Sequence, residues 1–292
     1  MTQTASTAAP AAVHGRRRPG GTGGSWLLLP PALLLVAGLL GPVLVTFWVA
    51  IRDNGVVGVV RNPMQSSLVT DSIVKTLVLA VLVTLVTWVC GLLFALAVGL
   101  APPAVGKTLF AILFLTFWIS LLVRTYGWVI ALQPNGALDD LARWLHLDAD
   151  GTGLYQTMPG LLPPMVHIML PYMVLPIYAS LQALDPAQVR AARSLGASEG
   201  LVLRRLILPS LKSGSWAGVL LVFILSLGFY VTPAFLGGPG TQVLAMVIGV
   251  QFGRLENLAL VAALGALLLV VVLGLYLVAD RLFRISEQWD RI

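Results

Sequence analysis

Side chains that commonly serve as nucleophiles or metal ligands are few in this chain and lie far apart. The single cysteine, Cys90, excludes an internal disulfide framework and a cysteine-based metal cluster. The three histidines, His14, His146 and His167, show no HExxH-like spacing, and the sequence contains neither a GxSxG nucleophile motif nor a GxxxxGK[ST] phosphate-binding loop. We therefore expect this chain to have no catalytic residues, no metal site and no cofactor of its own.

Residues 185–209 carry a dense set of signals for local structure. Asp185 is placed as a helix N-cap, and Gly196 follows that helix at the position where a positive φ is common and glycine is tolerated. Ser198 can cap a second short helix, which Pro209 is expected to end because the residue before a proline disfavours the α region. The first helix presents three small residues on one face, namely Ala187, Ala191 and Ser194. This pattern predicts a helix–turn–helix that another protein can approach closely; a solvated connector is the alternative.

One charged residue, Arg124, stands well inside an apolar run. An arginine at the centre of a bilayer costs about 2.5–3.5 kcal/mol, so it either faces a path or an interface, or extends toward the headgroups. His167 is interpreted as a buried histidine with satisfied hydrogen bonds. Nearby aromatic rings could bind a cationic solute through cation–π contacts, or could be interfacial and packing residues. The candidates for a substrate path are Arg124, Tyr126, Trp128, Phe229, Tyr230 and Thr232.

The composition indicates that these residues lie in a membrane protein. Hydrophobic residues make up 58% of the 292 residues and charged residues only 10%, whereas soluble domains carry about 25% charged residues. The mean hydropathy is +0.92. Six apolar runs are long enough to cross a bilayer as helices, and none shows the alternation of a barrel strand. The predicted spans are 26–50, 73–100, 108–132, 161–184, 216–236 and 258–279.

The distribution of basic residues predicts the topology. Twelve of the 18 Lys and Arg residues lie on the side of the N-terminus and six on the other side, which places both termini in the cytoplasm. Residues 1–25 are predicted to be a disordered tail, 26–280 the membrane domain, and 281–292 a second cytoplasmic tail. Although the net charge is +6, the basic residues are spread over short connecting segments, so nucleic acid is not an expected partner.

Residues 190–209 resemble the EAA loop of binding-protein-dependent ABC importer permeases. That pattern has Glu-Ala-Ala, three residues, Gly, nine residues, Ile, one residue and Leu-Pro. Leu206 stands at the position of Ile, and Arg190 stands at the position of Glu, which reverses the charge. The residues that match are Ala191, Ala192, Gly196, Leu208 and Pro209. Segments 123–128, 170–179 and 227–239 further resemble the spermidine/putrescine permease group.

This resemblance implies an all-α polytopic membrane protein with the MetI-like permease fold and six transmembrane helices. It also implies a complex in the bacterial inner membrane with a second permease subunit, an ATPase dimer and an extracytoplasmic solute-binding protein. ATP and Mg would be bound by the ATPase, and the solute would be small, with a polyamine as the candidate. The ATPase-coupling residues implied are Arg190, Ala191, Ala192, Gly196, Ala197, Ser198, Glu199, Leu206, Leu208 and Pro209.

Two other classes of membrane protein are alternatives. A stand-alone channel or facilitator would need selectivity elements within this chain, and no filter-like motif is visible. An integral-membrane enzyme is disfavoured because polar residues do not cluster. Every Asp and Glu lies outside the apolar runs or at their edges, which disfavours a proton-coupled pump. The short apolar segment 241–252 is predicted to lie in the outer interface or to be a buried packing helix.

Overall fold

Every regular element in the part of the chain that the computed structural model describes, residues 29–145 and 153–283, is helical. The α-helices are α1 (Leu29–Asn54), α2 (Gly58–Met64), α3 (Ser67–Leu100), α4 (Pro103–Trp118), α5 (Leu121–Leu132), α6 (Ala137–Trp144), α7 (Met158–Gln182), α8 (Pro186–Ser194), α9 (Glu199–Val202), α10 (Leu208–Ser210), α11 (Lys212–Leu227), α12 (Val231–Leu236), α13 (Leu244–Gly253) and α14 (Leu258–Phe283). A π-helical turn spans Leu203–Ile207, and a 3-10 turn spans Pro239–Thr241.

The chain divides into two compact units, residues 1–45 and residues 46–292. The described part of the first unit is the beginning of α1, where leucines such as Leu34 and Leu39 are about 70% exposed. Large exposed apolar side chains are what a lipid-facing helix requires. The predicted tail 1–25 lies outside the described residues, as do residues 284–292 of the predicted tail 281–292.

The core of the second unit forms where α3, α7 and α11 pack against one another. Met173 on α7 is fully buried between the other two helices. A Cβ atom at Gly91 of α3 would lie 2.6 Å from the Cγ of Met173, and one at Gly218 of α11 would lie 2.7 Å from its Sδ. The absence of side chains at these two glycines therefore allows α3 and α11 to approach α7 closely, as small residues do between membrane helices.

Four of the six predicted spans correspond to single long apolar helices. These are α1, α3, α7 and α14, and their bounds agree with the predictions within a few residues, except that α3 begins six residues earlier, at Ser67. The described part of the chain has six candidate spans if each of two bent helix pairs crosses the membrane as one span. The six-helix architecture predicted from the apolar runs is therefore consistent with the helices.

The third predicted span, 108–132, is not one continuous helix. Residues Ile119 and Ser120 are extended, with ψ values of 127° and 134°, and α4 and α5 meet there at an angle of 100°. The interruption breaks the i→i−4 hydrogen-bond ladder within a predominantly apolar sequence, so hydropathy alone did not reveal it. As a result, Arg124 lies in the first turn of α5, where its backbone N–H donates to the carbonyl of Ser120, and not within a straight span.

The fifth predicted span, 216–236, was wrong at its C-terminal end. Helix α11 begins at Lys212 and ends at Leu227, and residues 231–236 form the separate helix α12. Gly228 follows α11 as its C-cap, with φ −99° and ψ 8°. The apolar sequence continues across this break, so hydropathy predicts one helix over residues 216–236.

The short apolar segment at 241–252 forms α13, which packs against α3 and α14. Leu244 and Val247 are almost fully buried and contact Val69 and Leu264. The backbone N–H of Leu244 donates a 2.8 Å hydrogen bond to the hydroxyl of Thr76 on α3. Of the two alternatives for this segment, the buried packing helix is the one that these contacts support.

Candidate functional site

The segment predicted as a helix–turn–helix begins with α8, which is capped as expected. The carboxylate of Asp185 accepts a 2.8 Å hydrogen bond from the backbone N–H of Ala187. Val189 and Ala192, three residues apart on one face, pack against the hydrophobic core. The rest of the helix is exposed. Helix α8 therefore packs on the molecule through one narrow face, and its opposite face is accessible.

The turn after α8 is built on Gly196. Its φ is +83°, and no atom lies within 4 Å of the position that a Cβ would occupy. Its N–H donates to the carbonyl of Arg193, and the N–H of Ala197 donates to the carbonyl of Ala192, both at 3.0 Å. This pair of bonds is the Schellman arrangement, which requires a left-handed residue at the position of Gly196. The prediction for Gly196 is confirmed.

An ion pair joins the two arms of the turn. The Nε of Arg193 lies 2.9 Å from Oε1 of Glu199, and its Nη2 donates to Oε2 at 2.9 Å. Two parallel bonds hold a guanidinium and a carboxylate in one relative orientation. Because both side chains are more than half exposed, the pair adds little to global stability, although it links the end of α8 to the start of α9.

The second arm differs from the prediction because Pro209 does not end it. Ser198 caps α9 by accepting a 3.4 Å hydrogen bond from the N–H of Leu201, as predicted. The chain then continues through the π-helical turn, in which the N–H of Leu208 donates to the carbonyl of Leu203, and through Pro209 to Ser210. Since proline lacks an N–H and its ring crowds the carbonyl four residues earlier, the wider turn accommodates it within the helix.

The arm is therefore continuous with a span. Residues 199–210 lead into α11 through a bend of 50°, and Leu211 at this bend is 1% exposed. Helix α11 packs on α3 and α7, so this segment joins the loop to the core of the second unit.

The predicted coupling residues fall into an outer and an inner group. Ala192, Ala197 and Leu206 are half-buried and pack against the core. The exposed residues are Arg190, Ala191, Gly196, Ser198, Glu199, Leu208 and Pro209. Sequence reasoning missed Leu195, which is 88% exposed. The available signal was a leucine directly before the turn glycine.

The structure brings part of the predicted path together around α5. The Nε1–H of Trp128 donates a 3.2 Å hydrogen bond to Nδ1 of His167 on α7, which confirms that this histidine is hydrogen-bonded. Arg124 is half-buried, and its Nε is buried without a hydrogen-bond partner among the described residues. It lies one helical turn before Trp128 on the same face of α5, so Arg124, Trp128 and His167 form a polar cluster. Tyr172 on α7, whose ring lies 5.2 Å from that of Phe117, was not among the predicted residues.

The other path candidates do not join that cluster directly. The ring of Tyr126 lies 5.2 Å from that of Phe235 on α12. Tyr230 packs over Gly249 of α13, where an added Cβ would come within 2.7 Å of its ring. Phe229 packs against the core, as expected for a packing aromatic. Thr232 is fully buried with a hydroxyl that lacks a partner within the described ranges, and the same holds for Thr125, which the sequence did not single out.

A further charged site lies on α6, outside the candidate spans. Asp139 is buried and accepts a 3.0 Å hydrogen bond from the backbone N–H of Asn135, and Arg143 donates to it as well. The hydrogen bond from Arg143 and then that from Asn135 lower the pKa of Asp139 below its usual range. The site holds α6 against the turn that precedes it.

Because the pKa of Asp139 is lowered by folding, its contribution to stability is present above the ordinary pKa and is lost as the pH falls through the lowered value. We expect hydrogen-exchange protection of the Asn135 amide to stay constant between pH 8 and 5 and to fall below about pH 4. Asp139→Asn should reduce that protection at neutral pH. A decline already between pH 7 and 5 would contradict the assignment.

Comparison with known proteins places this architecture in a family. Residues 27–291 match the model of the "Binding-protein-dependent transport system inner membrane component". The chain belongs to this family. It is 32% identical over 207 residues to the spermidine/putrescine transport system permease protein PotB of Escherichia coli K12, a match that covers 71% of this chain and 75% of PotB. The chain is therefore a multi-pass inner-membrane permease subunit of an ABC importer.

Solved structures show that the fold is the MetI-like permease fold. A bacterial alginate ABC transporter in complex with an alginate pentasaccharide-bound periplasmic protein matches with a TM-score of 0.74 at 21% identity, over 89% of this chain and 93% of that one. The methionine ABC transporter MetNI matches with a TM-score of 0.57 at 16% identity, over 73% and 93%. At these identities the likeness concerns the fold alone, and it confirms the predicted fold.

Proposed function

We propose that this permease moves a small solute across the inner membrane, and that partner ATPase subunits supply the energy by hydrolysing ATP. In this proposal, residues 185–210 of the permease receive the movement of the ATPase subunits. The observation that supports this role is the geometry of the loop: α8 is exposed on one face, its turn is fixed by Gly196 and by the Arg193–Glu199 pair, and its second arm continues into a span. ATP and Mg would be bound by the ATPase dimer and not by this chain.

The mechanism follows from the connection between the loop and the core. When the two ATPase subunits close on each other, the ATPase surface that contacts α8 would move and would displace the turn at Gly196. The segment 199–210 would then rotate about the buried Leu211 and shift α11 relative to α3 and α7. We infer that this movement opens the path alternately to each side, together with a second permease subunit that completes it and an extracytoplasmic binding protein that delivers the solute.

For the solute we propose a polyamine, on the basis of the similarity to PotB, whose name states spermidine/putrescine transport. The aromatic residues Trp128 and Tyr172 near the path could bind a cationic solute. The test is uptake of labelled putrescine and spermidine by cells that carry the complete importer, compared with cells that lack this subunit. If this subunit increased the uptake of neither labelled polyamine but supported the uptake of another solute, the polyamine would be contradicted and the importer class would stand.

The orientation proposed from the basic residues has its own test. With both termini in the cytoplasm, a cysteine introduced as Ser286→Cys in a Cys90→Ser background should not react with a membrane-impermeant maleimide in intact cells. It should react after the membrane is permeabilised. Labelling in intact cells would contradict the proposed topology.

Arg124 allows a test of the path. If its guanidinium lines the path or an interface, Arg124→Leu should reduce uptake at least about tenfold, because a charged residue within a membrane segment is then removed from a functional position. Insertion should be unchanged, since leucine inserts more readily than arginine. Arg254→Leu, which removes a charge elsewhere, serves as the control. Uptake at the wild-type rate by Arg124→Leu would show that Arg124 only extends toward the headgroups.

A further inference from the structure

The outward face of α8 carries a single charge. Val189 and Ala192 point toward the core, and at 100° per residue the opposite side of the helix contains Arg190. Arg190 is exposed. The residues that surround it on this face are small, namely Ala187, Ala191 and Ser194. Arg190 is therefore the one long cationic side chain on a helix face of small residues.

Arg190 has no counter-charge within the loop. The carboxylate of Glu199 is bound by Arg193 through two 2.9 Å contacts, and the carboxylate of Asp185 caps α8. The hydroxyl of Ser194 donates to the backbone carbonyl of Arg190 at 3.0 Å and not toward its side chain. Among the residues that the structure describes, Arg190 forms no ion pair.

A protein that covers this face must accommodate the guanidinium. The small residues on this face allow a partner to approach the α8 backbone closely. Close approach would remove Arg190 from water. An arginine that is buried without a counter-charge is strongly unfavourable, whereas a carboxylate can accept two hydrogen bonds from its planar guanidinium. The partner surface must therefore offer a carboxylate opposite Arg190.

We propose that Arg190 determines which ATPase subunit this permease accepts, by pairing with a carboxylate on the ATPase surface that covers α8. This inference rests on the proposed function. An ATPase surface that is suited to the Glu of the EAA pattern would present a positive group to Arg190, and like charges at close range disfavour the wrong partner. The charge at residue 190 thus acts as a specificity determinant and not only as a contact.

The experiment uses the complete importer with its co-expressed ATPase. Binding of the purified ATPase to nanodiscs that contain the permease subunits is measured at 50 and 300 mM KCl. We expect Arg190→Glu to weaken binding by about tenfold or more at low salt, and Arg190→Gln to weaken it less and to reduce the salt dependence. The matched control is Arg254→Glu, the same charge change at an exposed residue outside the loop, which should alter binding by no more than about twofold.

A photo-crosslinking amino acid at residue 190 then identifies the facing segment of the ATPase. Replacing an acidic residue of that segment with arginine should restore binding to Arg190→Glu. Equal binding by wild type and Arg190→Glu, or crosslinks to lipid in place of the ATPase, would overturn the inference while the importer function stands. If no ATPase bound the wild-type permease, the proposed function itself would be contradicted.

Discussion

Gly196→Val is expected to abolish ATP-driven uptake while the subunit still inserts into the membrane. The φ of Gly196 is +83°, and a β-branched residue is a genuine outlier in that region. A strained residue of this kind costs on the order of 1–3 kcal/mol, which the exposed loop can relieve by changing the direction of α9. The bonds of Gly196 and Ala197 to the end of α8 would then be lost, together with the pairing of Arg193 and Glu199.

The structure supplies two controls for this substitution. Gly200 also has no atom within 4 Å of an added Cβ, but its φ is not positive, so Gly200→Val tests the added volume without the backbone strain. Gly196→Asn should retain much of the activity, because asparagine tolerates the left-handed region better than valine. Uptake and ATPase stimulation are measured in vesicles with the binding protein present. Wild-type values for Gly196→Val would exclude this turn as the transmitting element.

Leu195→Asp should release the ATPase from an otherwise intact permease. Leu195 is 88% exposed at the end of α8, so a polar residue there leaves the core unchanged. If the leucine is an anchor in the ATPase interface, burying aspartate in its place should cost about 2 kcal/mol or more, which corresponds to about a 30-fold loss of affinity. The measurement is the amount of ATPase that co-purifies with the permease at a fixed ATPase concentration.

Two variants distinguish an interface effect from a general effect of charge. Leu195→Met retains an apolar side chain and should bind the ATPase almost as well as wild type. Leu145→Asp introduces the same charge at a leucine that is 48% exposed after α6, distant in sequence from the loop, and should not change binding. Undiminished co-purification of the ATPase with Leu195→Asp would remove this residue from the interface.

The parts that could be predicted from the sequence are those fixed by local chemistry. A cap at Asp185 and a left-handed glycine at residue 196 depend on residues within one helical turn, so the first helix of the loop and its turn were predicted. The four long spans depend only on apolar length. The family resemblance was carried by the same local loop and was confirmed by the match over residues 27–291.

The parts that were not predicted depend on tertiary contacts or on breaks without a compositional signal. The 100° bend at Ile119 and Ser120 interrupts a predominantly apolar run, and hydropathy does not reveal such a bend. The hydrogen bond from Trp128 to His167 joins residues 39 positions apart, and the exposure of Leu195 results from how α8 packs. Pro209 was predicted to end the second helix, because the residue before a proline disfavours the α region. The π-helical turn before Pro209 instead accommodates its ring within the helix.

The central claim is that ATPase subunits drive transport through the loop of residues 185–210. The most direct measurement is solute uptake into vesicles that contain the purified permease subunits, with the binding protein outside and ATPase subunits and ATP within. The account predicts uptake that requires ATP and the ATPase, and that is lost in Gly196→Val while the vesicles retain the permease. Solute entry at the same rate without the ATPase would contradict the account and indicate a stand-alone channel.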